Sequence, residues 1–290
     1  MSHPFTLALI LGTLALPVAA EAADRPERLV IPLSDPSRPA KIEVGLVMGS
    51  ITVVPGQAGE VVLIASTSPD DAEEDADRSV APEIAEPERH DDDRAAARAG
   101  MRRIPNDSLG LEAEEKDNRV EIGAESWARS VDLRIEVPPA SSVEASTVND
   151  GEIAVSGLSG ELVLHNTNGG IRVDGVTGPI NASTVNGDVA VKFGPAMASA
   201  AMAFSTLNGD VELTLPADAR VNVVLRSDNG DIYSDFDVAL ERKPARVEED
   251  HKKGKYRVAV ARELTGKIGG GGPELFLKTF NGDLLLHRAK

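Results

Sequence analysis

Residues 147–191 read TVNDGEIAVSGLSGELVLHNTNGGIRVDGVTGPINASTVNGDVAV. Gly151, Gly160, Gly169, Gly178 and Gly187 recur every 9 residues in it, and each is followed by a short alternating apolar run: Ile153-Val155, Leu162-Leu164, Ile171-Val173, Ile180-Ala182 and Val189-Val191. Each unit is therefore a strand and a sharp turn carrying one apolar stripe. A single unit cannot bury that stripe. Stacked units bury it together, with backbone hydrogen bonds running from one to the next. Glycine supplies the positive φ of a tight corner, and Asn tolerates the same region while bonding to local backbone.

The beat continues outward. Asn-Gly or a near variant occurs at Asn149-Asp150-Gly151, Asn168-Gly169, Asn186-Gly187, Asn208-Gly209, Asn229-Gly230 and Asn281-Gly282, with glycine spacings of 18, 18, 22, 21 and 52. Two residues before each Asn stands a small polar residue: Thr147, Asn166, Thr184, Thr206, Ser227 and Thr279. Later units supply Val211-Leu213 and Leu284-Leu286, while Ile232 is followed by the polar Ser234. Asn-Gly is also the strongest hairpin signal, but hairpins do not require turns to recur at 9 and 18. The expected fold is all-β, a single-stranded parallel β-helix (solenoid). Asn149, Asn168, Asn186, Asn208, Asn229 and Asn281 stack as a turn ladder along one edge, and Val189 and Leu213 point inward.

The flanks set the domain plan. Residues 1–22 read as a secretory signal peptide. Phe5 to Leu16 is an apolar run shorter than a membrane span, and Ala20-Glu21-Ala22 places small residues for cleavage near Ala22-Ala23. Residues 23–68 carry N-terminal strands, with Ile42, Val44 and Leu46 alternating. Residues 69–108 hold 13 acidic and 6 basic residues with few large apolar groups, the composition of a disordered acidic insert that reads as a solvated loop. Residues 109–290 form the solenoid domain, opened by the alternation of Val131 to Val137. The chain is expected outside the cytoplasm, periplasmic or secreted, with no integral membrane segment after cleavage.

Composition excludes several function classes. The 290 residues include 30 Lys and Arg against 47 Asp and Glu, a net charge of −17. That opposes nucleic-acid binding, which needs a basic face for phosphates, and adsorption to anionic lipid. There is no cysteine, hence no disulfide, thiolate nucleophile or cysteine-ligated metal. Aromatics are 3%, too few for a stacking platform. His90, His165, His251 and His287 lack metal-ligand spacing, and no Gly-x-Ser-x-Gly elbow is present. Gly269 to Gly272 is followed by Pro273 rather than Lys-Ser or Lys-Thr, so it reads as a flexible linker and not a phosphate cradle.

The text from Val131 onward resembles the bacterial putative-adhesin family, a domain of unknown function. The likeness is carried by Val131-Asp132-Leu133 leading to Val137-Pro138, by Ser183-Thr184-Val185-Asn186-Gly187-Asp188-Val189 and its repeats, and by the closing Leu275 to Leu284. The resemblance implies a parallel β-helix, right-handed, without an agreed activity. The acidic insert and the long gap before the last repeat depart from it.

The functional expectation is a non-catalytic extracytoplasmic, adhesin-like interaction or scaffolding protein, with exposed Thr and Asn columns facing an envelope protein or glycan. No cofactor and no metal are expected. Asp188, Asp210 and Asp231 follow their Asn-Gly pairs and are candidates for a weak cation or partner contact, since carboxylates one strand spacing apart repel unless neutralised. Trp127 is expected as a cap over the open end of the core, and the mixed-charge Arg242–Arg257 stretch as an exposed loop suited to partner contact. The alternative is an enzyme degrading envelope polysaccharide, with Asp210 and Asp231 on adjacent coils as acid and base.

Overall fold

The computed structural model describes residues 27–67, 111–124, 130–149, 151–241, 247–249, 258–260 and 263–290. The signal segment, the 69–108 insert and Trp127 lie outside them, as does Arg242–Arg257 apart from Val247–Glu249, a short strand paired with Val258–Val260. The described residues are all-β, without a helix. Two large sheets of 10 and 11 strands face each other. Two successive 9-residue units make one coil: a strand in the second sheet, a turn at Asn-Gly, a strand in the first sheet, and a return turn. The beat of 9 is thus half a coil, and residues 18 apart stack. Leu162 pairs in parallel with Ile180, and Ile171 with Val189.

The strands form where alternation places one apolar row between the sheets. Ile153, Leu162, Leu164, Ile180, Val189, Phe204, Val211, Leu213, Leu275 and Leu284 are each fully buried. Phe193 and Phe204 meet edge to face at 6.4 Å, a favoured ring geometry. Small and branched side chains suit this thin core. Each buried Val or Leu contributes about 1.5–3 kcal/mol relative to exposure.

Spatial order departs from chain order at both ends. Coils 142–156, 162–176, 180–193 and 202–215 stack in sequence. The coil 221–234 does not follow next. The coil 274–288 is inserted between 202–215 and 221–234, with Phe204 opposite Leu277 and Leu277 opposite Leu225, and Leu213 opposite Leu286. Residues 41–55, expected as separate N-terminal strands, form another coil of the same stack. They sit between 142–156 on one side and the strands Arg119–Ala124 and Val131–Val137 on the other. Antiparallel strands finish each end. Glu27–Pro32, Glu60–Thr67 and Leu111–Lys116 close one. Ala239–Glu241 and Leu264–Ile268 close the other.

Candidate functional site

The Asn-Gly edge of the stack is built from four columns, one residue per coil. The innermost is the small polar column. Thr147, Asn166, Thr184, Thr206, Ser227 and Thr279 are all buried. Each donates a hydrogen bond to a glycine carbonyl of the neighbouring coil: Thr147 to Gly49 at 3.0 Å, Asn166 to Gly151 at 2.8 Å, Thr184 to Gly169 at 2.8 Å, Thr206 to Gly187 at 2.8 Å, Thr279 to Gly209 at 2.9 Å and Ser227 to Gly282 at 3.0 Å. This corrects the expectation of an exposed Thr column. The column shares the parity of the core residues Leu164, Ala182, Phe204 and Leu277, so it faces in and fastens coil to coil.

The six acceptors, together with Gly230, form the second column. Gly49, Gly151, Gly169, Gly187, Gly209, Gly282 and Gly230 stack so closely that a methyl on Gly209 would lie 2.2 Å from the Gly187 carbonyl oxygen, and one on Gly282 would lie 2.0 Å from that of Gly209.

The third column is the asparagines, in the spatial order Asn149, Asn168, Asn186, Asn208, Asn281, Asn229. Every later amide Nδ2 donates to the preceding Oδ1, at 2.9, 2.8, 2.7, 2.8 and 3.0 Å. Met48 occupies the next rung, in register with Asn149, and ends the row. One N–H and one carbonyl lone pair of each amide remain for a partner.

The fourth column is acidic. Asp210 N–H donates to Asp188 Oδ1 at 2.8 Å, Asp283 N–H to Asp210 Oδ1 at 2.7 Å, and Asp231 N–H to Asp283 Oδ1 at 2.7 Å. Backbone donors thus hold carboxylates that would otherwise repel. Asp210 and Asp231 are not neighbours: Asp283 stands between them, because its coil is the inserted one. The adjacent acid–base pair of the enzyme alternative is therefore absent. None of the four aspartates has an ion pair among the described residues. The negative potential of the row is felt by Tyr233, whose phenol is pushed above its ordinary value chiefly by Asp231 and then by Asp283. Among the described residues no three His, Asp or Glu side chains converge to hold a metal.

Sequence reasoning missed the residue between the small polar column and the ladder. In spatial order it is Val47, Val148, Thr167, Val185, Leu207, Phe280 and Asp228. Val47 is 37% exposed, Val148 42%, Val185 38%, Leu207 46% and Phe280 44%. These large apolar groups form an outward stripe beside the ladder. The signal was the same parity: if Thr206 faces in, Leu207 faces out.

Three other features lie elsewhere. A cleft of 730 Å³ opens on the opposite edge, where the long return turns flare around Met197, Ala219, Arg220 and Phe236. Arg288 covers the Phe236 ring at 4.6 Å. Near the first end, Glu114, Glu121, Glu43 and Glu144 lie opposite one another across four strands. Lys41 at 2.7 Å and Arg119 compensate Glu43, holding its carboxyl below the ordinary value. His165 Nδ1 is 2.7 Å from Ser183 Oγ. His287 lies 3.4 Å from both Glu212 and Asp235.

No helix among the described residues is long and apolar enough to cross a membrane. No curated protein matches the chain. Solved structures that overlap with it include "a putative cell adhesion protein" from Clostridium sporogenes, 11% identical, covering 91% of this chain and 100% of that one at a TM-score of 0.46. A "putative adhesin" from Bacteroides fragilis is 13% identical, covering 92% and 98% at 0.38. A "putative lipid binding protein" from Parabacteroides distasonis is 10% identical, covering 92% and 97% at 0.26. Residues 123–263, just under half of the chain, match the Toastrack DUF4097 family. That stretch, which carries five of the coils and most of the Asn-Gly edge, is similar to the Toastrack family, in keeping with the resemblance to the putative-adhesin family of unknown function.

Proposed function

We propose that the protein is a non-catalytic, extracytoplasmic interaction or scaffolding protein of the cell envelope, adhesin-like in holding a partner against its Asn-Gly edge. One observation carries this reading: Val47, Val148, Val185, Leu207 and Phe280 stand exposed in one row on a rigid stack. Scattered surface apolar residues need no explanation, but an aligned row marks a contact surface. The backbone beneath is fixed by parallel pairing and by the buried Thr column, so binding orders little that was loose. The amides of the adjacent ladder add polar contacts at every rung. The extracytoplasmic assignment is supported by the signal-like residues 1–22.

The test is site-specific photo-crosslinking in cells, with the photoreactive residue at Leu207 or, as control, at the exposed Lys192 on the far strand. A discrete adduct from position 207 and none from 192 is the expected result. The purified protein should release no product from peptidoglycan or acidic polysaccharides. Turnover lost on Asp210→Asn or Asp283→Asn would overturn the reading in favour of an enzyme.

A further inference from the structure

The apolar stripe and the acidic column run side by side along the same coils. The stripe offers Val148, Val185, Leu207 and Phe280 to solvent. Beside it, Asp188, Asp210, Asp283 and Asp231 form a continuous row, one per coil, whose Oδ1 atoms are spent on backbone N–H groups for the first three. Among the described residues none of the four forms an ion pair, and the Asp231 Oδ2 lies 3.5 Å from the Tyr233 hydroxyl. Glu152 holds the same position two coils further on, past Gly170, and is paired with Arg172 at 3.1 Å. The opposite flank of the stripe is nearly neutral over most of its length, with Ser146, His165, Ser183 and Ser205 before Lys278 and Arg226. An occupant therefore meets apolar side chains in the middle and negative charge on one side only.

The rung spacing selects the occupant's shape. Neighbouring coils are about 4.8 Å apart. An α-helix presents one face every ~5.4 Å, so over the four steps from coil 142–156 to coil 274–288 it drifts by about 2.4 Å, within the reach of a side chain. An extended strand repeats its face every ~6.6 Å and drifts by about 7 Å, more than a full rung. A second copy of this chain would match the spacing, but its own −17 charge and its own acidic row make it a poor partner for this one.

We propose that the Asn-Gly edge is the docking surface for a cationic amphipathic helix. Its apolar face lies on the Val148–Phe280 stripe, and its Lys and Arg residues line the Asp188–Asp231 row. This rests on the reading that the edge is the contact face, and it names the class of partner. Charge steers the helix and sets its orientation. The stripe supplies the buried area, and the ladder amides accept its polar rim.

The probe is an 18-residue Leu/Lys peptide with Leu at helical spacing, set against a scrambled peptide of the same composition. Both are titrated by fluorescence anisotropy at 0.15 M salt, where loose charge attraction is largely screened. The patterned peptide is expected to bind at least tenfold tighter than the scrambled one. Leu207→Ser with Phe280→Ser should weaken it about tenfold or more without moving the melting temperature. Asp210→Asn with Asp283→Asn keeps the Oδ1 acceptors and should weaken binding while flattening its salt dependence. Glu112→Gln with Glu114→Gln, at the far end, should leave it unchanged. Equal binding of the two peptides, or indifference to the edge substitutions, overturns the proposal. So does sedimentation showing a dimer that Leu207→Ser and Phe280→Ser dissolve. If the peptide fails while crosslinking from position 207 persists, the helix is wrong and the contact face stands; if both fail, the contact face falls too.

Discussion

A complete rung of the Asn-Gly edge, such as Thr206 with Asn208, Gly209 and Asp210, assigns a different task to each of four kinds of residue. Thr fastens, Gly permits contact, Asn links, and Asp ties the next backbone N–H. The glycine column is the least forgiving, because the obstacle is backbone and cannot rotate away. Gly209 has φ 143°, and a methyl there meets the Gly187 carbonyl oxygen at 2.2 Å. Gly175 has φ 67° with nothing within 4 Å, so a methyl there costs only conformational strain, about 1 kcal/mol. Gly209→Ala is expected to cost about 3 kcal/mol or more. In thermal melts followed by circular dichroism this reads as a drop of roughly 10 °C for Gly209→Ala against ~3 °C for Gly175→Ala. Equal drops would show that the column is not held by contact. The Asn and Gly columns were legible in the sequence because their spacing repeats. The inward turn of Thr was equally legible, since Leu162, Leu164 and Asn166 share one parity. It was overlooked because Thr looks like a surface residue when its hydrogen-bond acceptor lies on another coil.

At the scale of elements, the first end of the stack is closed by a clasp between two turns. Glu115 accepts the N–H groups of Ser34 and Asn118, both at 3.0 Å, and the Ser34 hydroxyl at 2.9 Å. Asn118, buried and at φ 67°, accepts the Asp35 N–H at 2.7 Å and donates to the Asp35 and Arg38 carbonyls. The Ser34 N–H foremost holds the Glu115 carboxyl below its ordinary value, with Asn118 and the Ser34 hydroxyl adding to it. Asp35 is lowered likewise, mainly by Ser37. A carboxyl lowered on folding stabilises fully above its ordinary value of 4.5, and that contribution is lost as pH falls through the folded value. Amide exchange at Ser34 and Asn118 should therefore quicken below about pH 4, beyond its intrinsic pH dependence. Glu115→Gln should exchange fast at neutral pH and lose the acid-dependent step. A step that survives Glu115→Gln would assign it to another group. None of this clasp was visible in sequence, because its two halves are some 80 positions apart and separated by the acidic insert.

For the whole molecule, the decisive feature is the insertion of coil 274–288 between two coils that precede it in the chain. Leu275, Leu277, Leu284 and Leu286 pack there with almost no exposure, and its Asn281 and Asp283 complete both edge ladders. A chain ending at residue 273 is expected to lose more than one coil's share of stability. Coil 221–234 is stranded without its neighbour, and the faces of Leu213 and Phe204 open to water. Its unfolding should lose a single cooperative transition, seen as a broad melt and raised dye binding. A sharp melt only slightly below that of the full chain would show coil 221–234 closing directly onto 202–215. Periodicity alone did not show this order. Val223-Leu225 and Leu275-Leu277 carry interchangeable apolar patterns, and nothing local says which coil a strand adjoins.

The inserted coil also bears on how the protein is made. Residues 221–234 leave the ribosome before 274–288, yet their native neighbour is the later segment. The stack cannot zip in step with synthesis beyond residue 215. It has to hold a place open, or let 221–234 be displaced, until the final repeat arrives. A chain broken off before residue 274 therefore ends in an unmade seam of bare strand edges, the kind of surface that quality-control proteases and chaperones engage. The architecture links a closed stack to the arrival of residues 274–288, which cover the facing edges of coils 202–215 and 221–234.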